Sequence, residues 1–166
     1  IVYVTSSTDP GSYYLYEPEI KKLAWFASLN DKLDTGKLSR TEYVKYDARD
    51  GTTIPAYLTL PKNRPAENLP LVILPHGGPF GVRDTLDYNT EAQFLANRGY
   101  AVLQPNYRGS DSYGAAFYKK GSGEIGRAMQ DDLDDGMDWL VGRGIVDSNR
   151  VCIVGGSYGG YAALWG

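Results

Sequence analysis

Hydrophobic and polar positions follow two regimes along this chain. Up to about residue 38, short aromatic and β-branched runs alternate with turn residues: Ile1-Val2-Tyr3-Val4, Asp9-Pro10-Gly11, Tyr13-Tyr14-Leu15-Tyr16, Leu23-Ala24-Trp25-Phe26. That pattern predicts a meander of three antiparallel strands. From Thr41 onward, strand-like and helix-like periods alternate. Glu42 to Tyr46 and Ile54 to Leu60 read as a hairpin pair around Asp50-Gly51, a dipeptide that tolerates positive φ. Leu71-Val72-Ile73-Leu74 is a continuous apolar run of the length expected for a fully buried strand. A helix follows from about Thr85 to Asn97, stopped by Gly99, and then a strand from Tyr100 to Gln104. Ile125, Met129, Leu133, Met137 and Leu140 recur at spacings of four, four, four and three. They predict a helix over about 125–141 with an apolar stripe against a sheet and its acidic residues in water. Val151 to Val154 closes the series as a buried strand, with Cys152 as a small apolar residue inside it. The expected fold class is α/β: a mostly parallel sheet with right-handed crossovers and helices on both faces.

The last strand runs into Gly155-Gly156-Ser157-Tyr158-Gly159, which fits G-x-S-x-G. A serine hydroxyl is a weak nucleophile, so an enzyme that uses one must expose it on a sharp turn, give it a base and aim N–H donors at the developing oxyanion. Small residues at 155 and 159 let strand and helix approach closely. An ordinary glycine-rich strand-to-helix connection is the plainer alternative.

A second constellation favours the chemical reading. Pro75-His76-Gly77-Gly78-Pro79 directly follows the apolar strand at 71–74, and a glycine pair there can turn a backbone N–H inward. Gly78 N–H and Tyr158 N–H are the two candidate oxyanion donors. Pro79 and Phe80 either wall the first acyl pocket or only shape the turn. The loop carrying Tyr107 and Arg108 reaches the same sheet edge; either these residues line a substrate cleft, or Arg108 pairs with Asp111 or a carbonyl to hold the loop.

Three blocks resemble the serine hydrolase domain of the prolyl oligopeptidase family, in its acylaminoacyl-peptidase-like and dipeptidyl-peptidase-like branches. They are His76-Gly77-Gly78-Pro79, Asn106-Tyr107-Arg108-Gly109-Ser110 with Tyr113-Gly114, and Gly155 to Ala162. The acidic stretch Asp131 to Gly136 before Trp139-Leu140 is similar to the helix that leads to the family's nucleophile strand. The resemblance covers Leu38 to Gly166 and implies the N-terminal part of an α/β-hydrolase fold at 39–166. Residues 1–38 resemble, less distinctly, the end of a β-propeller; an N-terminal hairpin added to the hydrolase sheet is the alternative. The resemblance implies Ser157 as nucleophile, Gly78 and Tyr158 as oxyanion hole, and His76, Pro79, Phe80, Tyr107 and Arg108 as cleft candidates. The implied substrate is a short peptide or an N-acylated amino acid, with no cofactor and no metal. A carboxylesterase of the same fold is the alternative enzyme, and a truncated binding module the non-enzymatic one.

α/β-Hydrolases supply Ser, then Asp or Glu, then His in chain order. Nine residues follow Ser157 (166 − 157), none acidic and none histidine, and His76 is the single histidine of the chain. His76 lies in the donor loop, on the wrong side of a reacting carbonyl for a base, so a ring hydrogen bond anchoring that loop is its expected role. The chain is therefore expected to be a truncated piece of a larger peptidase and inactive alone.

Composition agrees without adding chemistry. With 42% hydrophobic residues the 166-residue chain is long enough for one sizeable core, and a net charge of −3 gives no reason to expect nucleic acid. No apolar run reaches the ~20 residues that cross a bilayer, so no membrane partner is expected. An oligomer is compatible with the sequence, and a cytoplasmic location is slightly favoured over others. Gly121 to Gly126 matches G-x-G-x-x-G, but no convincing strand precedes it. Asp131 to Gly136 mimics a calcium loop, yet Leu133 stands at a ligand position and Gly142 where the bidentate Glu belongs. Both are set aside.

Overall fold

A computed structural model describes residues 1–166. Two separate sheets form. The first is the meander of β1 (Val2–Ser6), β2 (Asp9–Glu17) and β3 (Lys22–Ser28), antiparallel throughout, with Tyr3 opposite Tyr13 and Tyr14 opposite Trp25. Asp9 stiffens its first turn by accepting from Gly11 N–H at 2.9 Å. A short 3₁₀ turn at Thr35–Lys37, capped by the Asp34 carboxylate, leads into the second sheet.

That sheet holds five strands: β4 (Thr41–Asp47), β5 (Thr53–Thr59), β6 (Leu69–Ile73), β7 (Ala101–Pro105) and β8 (Val146–Ile153). Their spatial order is β4-β5-β7-β6-β8. The expectation of a mostly parallel sheet is corrected to a mixed one. β4–β5 and β5–β7 are antiparallel, and only β7–β6 and β6–β8 are parallel. The cause is local: the tight link from Ala48 to Thr52, with Gly51 at φ 77°, forces β5 to run back along β4. The parallel strands are instead joined by the longer crossovers that carry helices.

The helices are α1 (Thr90–Asn97), α2 (Ala115–Lys119), α3 (Ala128–Gly142) and α4 (Tyr158–Trp165). Strand alternation puts them on opposite faces. Ala101 and Leu103 of β7, with Leu71 and Ile73 of β6, join Met129, Leu133 and Leu140 of α3 in one core. Val102, between them on β7, packs instead with Ala92 and Ala96 of α1. α1 begins five residues later than Thr85 because the Asn89 side chain caps it, accepting from Ala92 N–H at 2.9 Å. Gly136 is where α3 crosses the sheet: a Cβ there would stand 2.8 Å from Leu103 and Tyr46.

Three sequence expectations change in this layer. Ile125 lies outside α3 and is exposed. Asp132 does not face water with its acidic neighbours but is fully buried. Cys152 is exposed, because β8 is the outermost strand of its sheet and no element covers that position.

Candidate active site

Ser157 stands between β8 and α4 with φ 55° and ψ −121°, a conformation that L-residues avoid at a cost of about 1–3 kcal/mol. The turn is that sharp because Gly155 and Gly159 nearly touch; a Cβ on Gly155 would lie 2.7 Å from the Gly159 carbonyl carbon. A Cβ on Gly159 would collide with the Pro75 carbonyl oxygen at the end of the β6 strand run. Ser157 is left exposed at the crest, as the N-cap of α4.

The glycine loop after β6 comes to the same place. A Cβ on Gly77 would sit 3.4 Å from Ser157 Cβ and 3.8 Å from its Oγ. Gly78, at φ 127°, is exposed, and its N–H donates to no carbonyl or side chain of the protein. Tyr158 N–H occupies the first turn of α4, where no intrahelical acceptor exists. The Tyr158 side chain is buried beneath the turn, its ring 5.2 Å from Tyr107 and its hydroxyl 3.4 Å from Met129 Sδ.

His76 is the fixture of this loop. Its Nδ1 lies 2.7 Å from Gly77 O and its Nε2 2.9 Å from Ser110 Oγ, while its ring stacks on Tyr107 at 4.5 Å. Tyr107, wholly buried, donates its hydroxyl to His76 O at 2.7 Å. Burial pushes the His76 imidazole below its ordinary pKa, against the opposing effect of the Gly77 carbonyl. The ring is engaged at both nitrogens, which agrees with an anchoring role.

Arg108 turns away from this cluster. Its Nε and Nη2 clasp Asp132 at 2.9 and 2.7 Å, and Nη1 reaches Asp50 at 2.8 Å. The loop-holding alternative is the one realised, with Asp132 and Asp50 in place of Asp111. These partners lie 24 and 58 residues away in sequence, so no local pattern could have named them. The Asp132 hydrogen bonds raise the Arg108 pKa still further, so it stays cationic at any working pH. Phe80 is half-buried against Tyr118, Gly109 and Gly121, and Pro79 is half-buried beside the exposed Gly78.

Two further polar residues lie near the turn that the sequence reading missed. The Asn106 side chain clamps Asp84, accepting from its N–H at 2.7 Å and donating to its carbonyl at 3.2 Å. Burial raises the Asp84 carboxyl to about 6, with Gln104 opposing. The G-x-G-x-x-G stretch is preceded by the short helix α2 and not by a strand, so it lacks the context of a phosphate loop.

A mixed sheet with helices on both faces, a strand ending in a serine-bearing turn and a glycine loop beside it define an α/β region. Residues 86–166 match the model of the prolyl oligopeptidase family, and that stretch of the chain belongs to it. The chain is 42% identical to dipeptidyl aminopeptidase BIII of Pseudoxanthomonas mexicana, with all of the chain and 25% of that protein covered. It is 32% identical to the acylamino-acid-releasing enzyme of Sus scrofa, over 72% of the chain and 16% of that protein. Among solved structures, a puromycin-hydrolyzing peptidase of Mycobacterium tuberculosis superposes with a TM-score of 0.85 at 27% identity, covering 98% of the chain and 26% of that structure. The chain spans about a quarter of the length of the first two curated relatives it matches.

Proposed function

We propose that the whole protein is a serine-type peptidase that cleaves short peptides or N-acylated amino acid substrates through an acyl-enzyme on Ser157. The observation that carries this is the exposed, positive-φ Ser157 with the Gly77-Gly78 loop packed against it. In this reading Ser157 Oγ attacks the scissile carbonyl. The oxyanion then accepts from Gly78 N–H and Tyr158 N–H, and collapse of the tetrahedral adduct expels the amine. The attacking hydroxyl must lose its proton to a base, and the single histidine here is committed to Gly77 and Ser110. The 166 residues by themselves are accordingly proposed to turn over negligibly, with an Asp and a His supplied elsewhere in the whole protein. Residues 1–38 are assigned to the end of a propeller-like domain and 39–166 to the catalytic domain. The substrate is the partner this reading requires, with no nucleic acid or membrane surface and no cofactor.

The test is turnover of an N-acylated amino acid ester and a dipeptide anilide. The whole protein is expected to be active, with Ser157→Ala lowering kcat by about 10⁴ or more. Residues 1–166 expressed alone are expected to match the Ser157→Ala background. Undiminished turnover by Ser157→Ala would overturn the proposal.

A further inference from the structure

β4 ends the five-stranded sheet, so one of its two edges has no strand beside it. Which of its main-chain groups face that edge follows from β5. Pro55, opposite Lys45, has no N–H, and its carbonyl accepts from Asn106 N–H at 2.8 Å on the β7 side. At the turn, Ala48 N–H donates to Thr52 O at 2.8 Å. Residues of an antiparallel strand alternate between bonding to the partner and facing away from it. Glu42, Val44 and Tyr46 therefore bond to β5, while Thr41, Tyr43, Lys45 and Asp47 turn their N–H and C=O groups outward. Thr41 N–H is taken by Ser7 Oγ at 3.3 Å. Outside the ladder, no backbone group bonds to Tyr43, Lys45 or Asp47. Proteins blunt such edges with bulges, prolines or a covering element. β4 has no proline, and its pairs with β5 run from Thr41 opposite Thr59 to Asp47 opposite Thr53 without a register shift.

We propose that two copies of the whole protein form a two-fold dimer through this edge, their sheets joined antiparallel with Val44 facing Val44 of the second copy. Val44 is the midpoint of Thr41–Asp47, so only this axis overlaps the whole strand with itself. It sets Tyr43 against Lys45 of the second copy and Lys45 against its Tyr43. All of these residues turn their main chain outward, so each pair exchanges both of its hydrogen bonds. The side chains match too. Lys45 Nζ lies 5.7 Å from its own Tyr43 ring, and the second Tyr43 offers it another negative ring face from across the edge. Asp47, two residues further along the same face, balances the Lys45 charge. On the opposite face the two Val44 side chains form a β-branched pair. Neighbouring registers are poorer. An axis at Lys45 opposes two ammonium groups, and one at Tyr43 sets Lys45 against the spent N–H of Thr41. An axis at Tyr46 runs into the turn from Ala48 to Thr52.

The experiment is sedimentation velocity on the whole protein from about 1 to about 100 µM, which reads association independently of hydrolysis. A dimer is expected. Lys45→Pro removes an outward N–H that bonds nothing within the chain, and is expected to give a monomer with unchanged circular dichroism. Tyr43→Lys puts an ammonium against Lys45 of the second copy, twice over by the symmetry. It is expected to raise Kd at least about tenfold, whereas Tyr43→Glu, which meets Lys45 with a carboxylate, keeps Kd within about threefold. The Tyr43 variants retain every backbone group, so they decide the matter if Lys45→Pro fails to fold. A monomer at the highest concentration, a dimer equally tight in folded Lys45→Pro, or equal Kd for Tyr43→Lys and Tyr43→Glu would each overturn the proposal.

Discussion

Near Ser157, His76 is fixed both by its neighbour Gly77 and by Ser110, 34 residues away, while Asn106 holds the Asp84 main chain from 22 residues away. His76 Nδ1–H holds the Gly77 carbonyl, and the Gly78 N–H of the same rigid peptide unit must then point the opposite way. Replacing His76 by Ala frees that plane. We expect a fall in kcat of about 10²-fold, the order seen when one oxyanion donor is lost, with thermal stability changed far less; His76→Asn should recover part of it. Asp84 behaves differently because its ionisation opposes folding. In the unfolded chain an Asp titrates near ~4, whereas the buried carboxyl in the folded state titrates at about 6. The unfolded state therefore releases its proton first. Stability contributed by the neutral form is complete below pH ~4, declines as pH rises toward about 6, and is absent above that. Asp84→Asn should raise Tm at pH 7.5 and leave it nearly unchanged at pH 4, as measured by circular dichroism melts. Ser157, Gly78 and Tyr158 were legible as candidates because a sharp turn restricts residue type locally. Asp84, Asn106 and Ser110 were not, because only the approach of the β6 and β7 loops sets Ser110 against His76 and Asn106 against Asp84.

At the scale of elements, close backbone approach decides more than propensity. The strand-to-helix turn depends on two glycines that face a main chain and not a flexible side chain. Gly159→Ala would press a methyl onto the Pro75 carbonyl, and neither backbone has room to withdraw. It should cost about 1–3 kcal/mol in urea unfolding and, in the whole protein, lower the rate at which a fluorophosphonate labels Ser157. The link between α3, the β4–β5 hairpin and the 106–110 loop is the buried Arg108 with Asp132 and Asp50. Asp132→Ala leaves the buried Arg108 guanidinium with the half-exposed Asp50 as its remaining partner, so a loss of about 3 kcal/mol is expected from the same unfolding measurement. The stripe Met129, Leu133 and Leu140 predicted α3 correctly because its period is intrinsic to the helix. The buried position of Asp132 on that helix escaped the same reasoning. An acidic residue reads as solvent-facing until a partner from a distant loop arrives to neutralise it.

Across the whole molecule, the two sheets are joined by two buried side chains: Ser7, whose hydroxyl accepts from Thr41 N–H at 3.3 Å, and Gln93. Gln93 of α1 donates to Ser7 O at 2.8 Å and Ser39 O at 2.6 Å, and accepts from Ser39 N–H at 2.9 Å. Gln93→Leu leaves three backbone groups unpaired. It should speed proteolytic cleavage in the 29–40 segment while the hydrogen-exchange protection of β5, β6 and β7 persists. The remaining faces are apolar and open: Trp25 and Phe26 on the meander, Leu164 and Trp165 at the end of α4, and the free edge of β8. Surfaces of this kind associate. Residues 1–166 alone should give a light-scattering mass that rises with concentration, and a monodisperse monomer would contradict that.

The sequence by itself determined the meander, the alternation of strands and helices, the serine turn, the glycine loop beside it and the family. Each of these rests on short-range requirements: a period of two or 3.6, or a backbone conformation that few residues tolerate. The tertiary structure alone decided that the sheet is mixed, that Arg108 faces inward, that Cys152 is exposed and that an unpaired carboxylate borders the serine turn. Those outcomes depend on which strand lies beside which and on charges meeting across as many as 58 residues of chain. Such pairings exist only once the sheet has assembled, which is why no local pattern announced them.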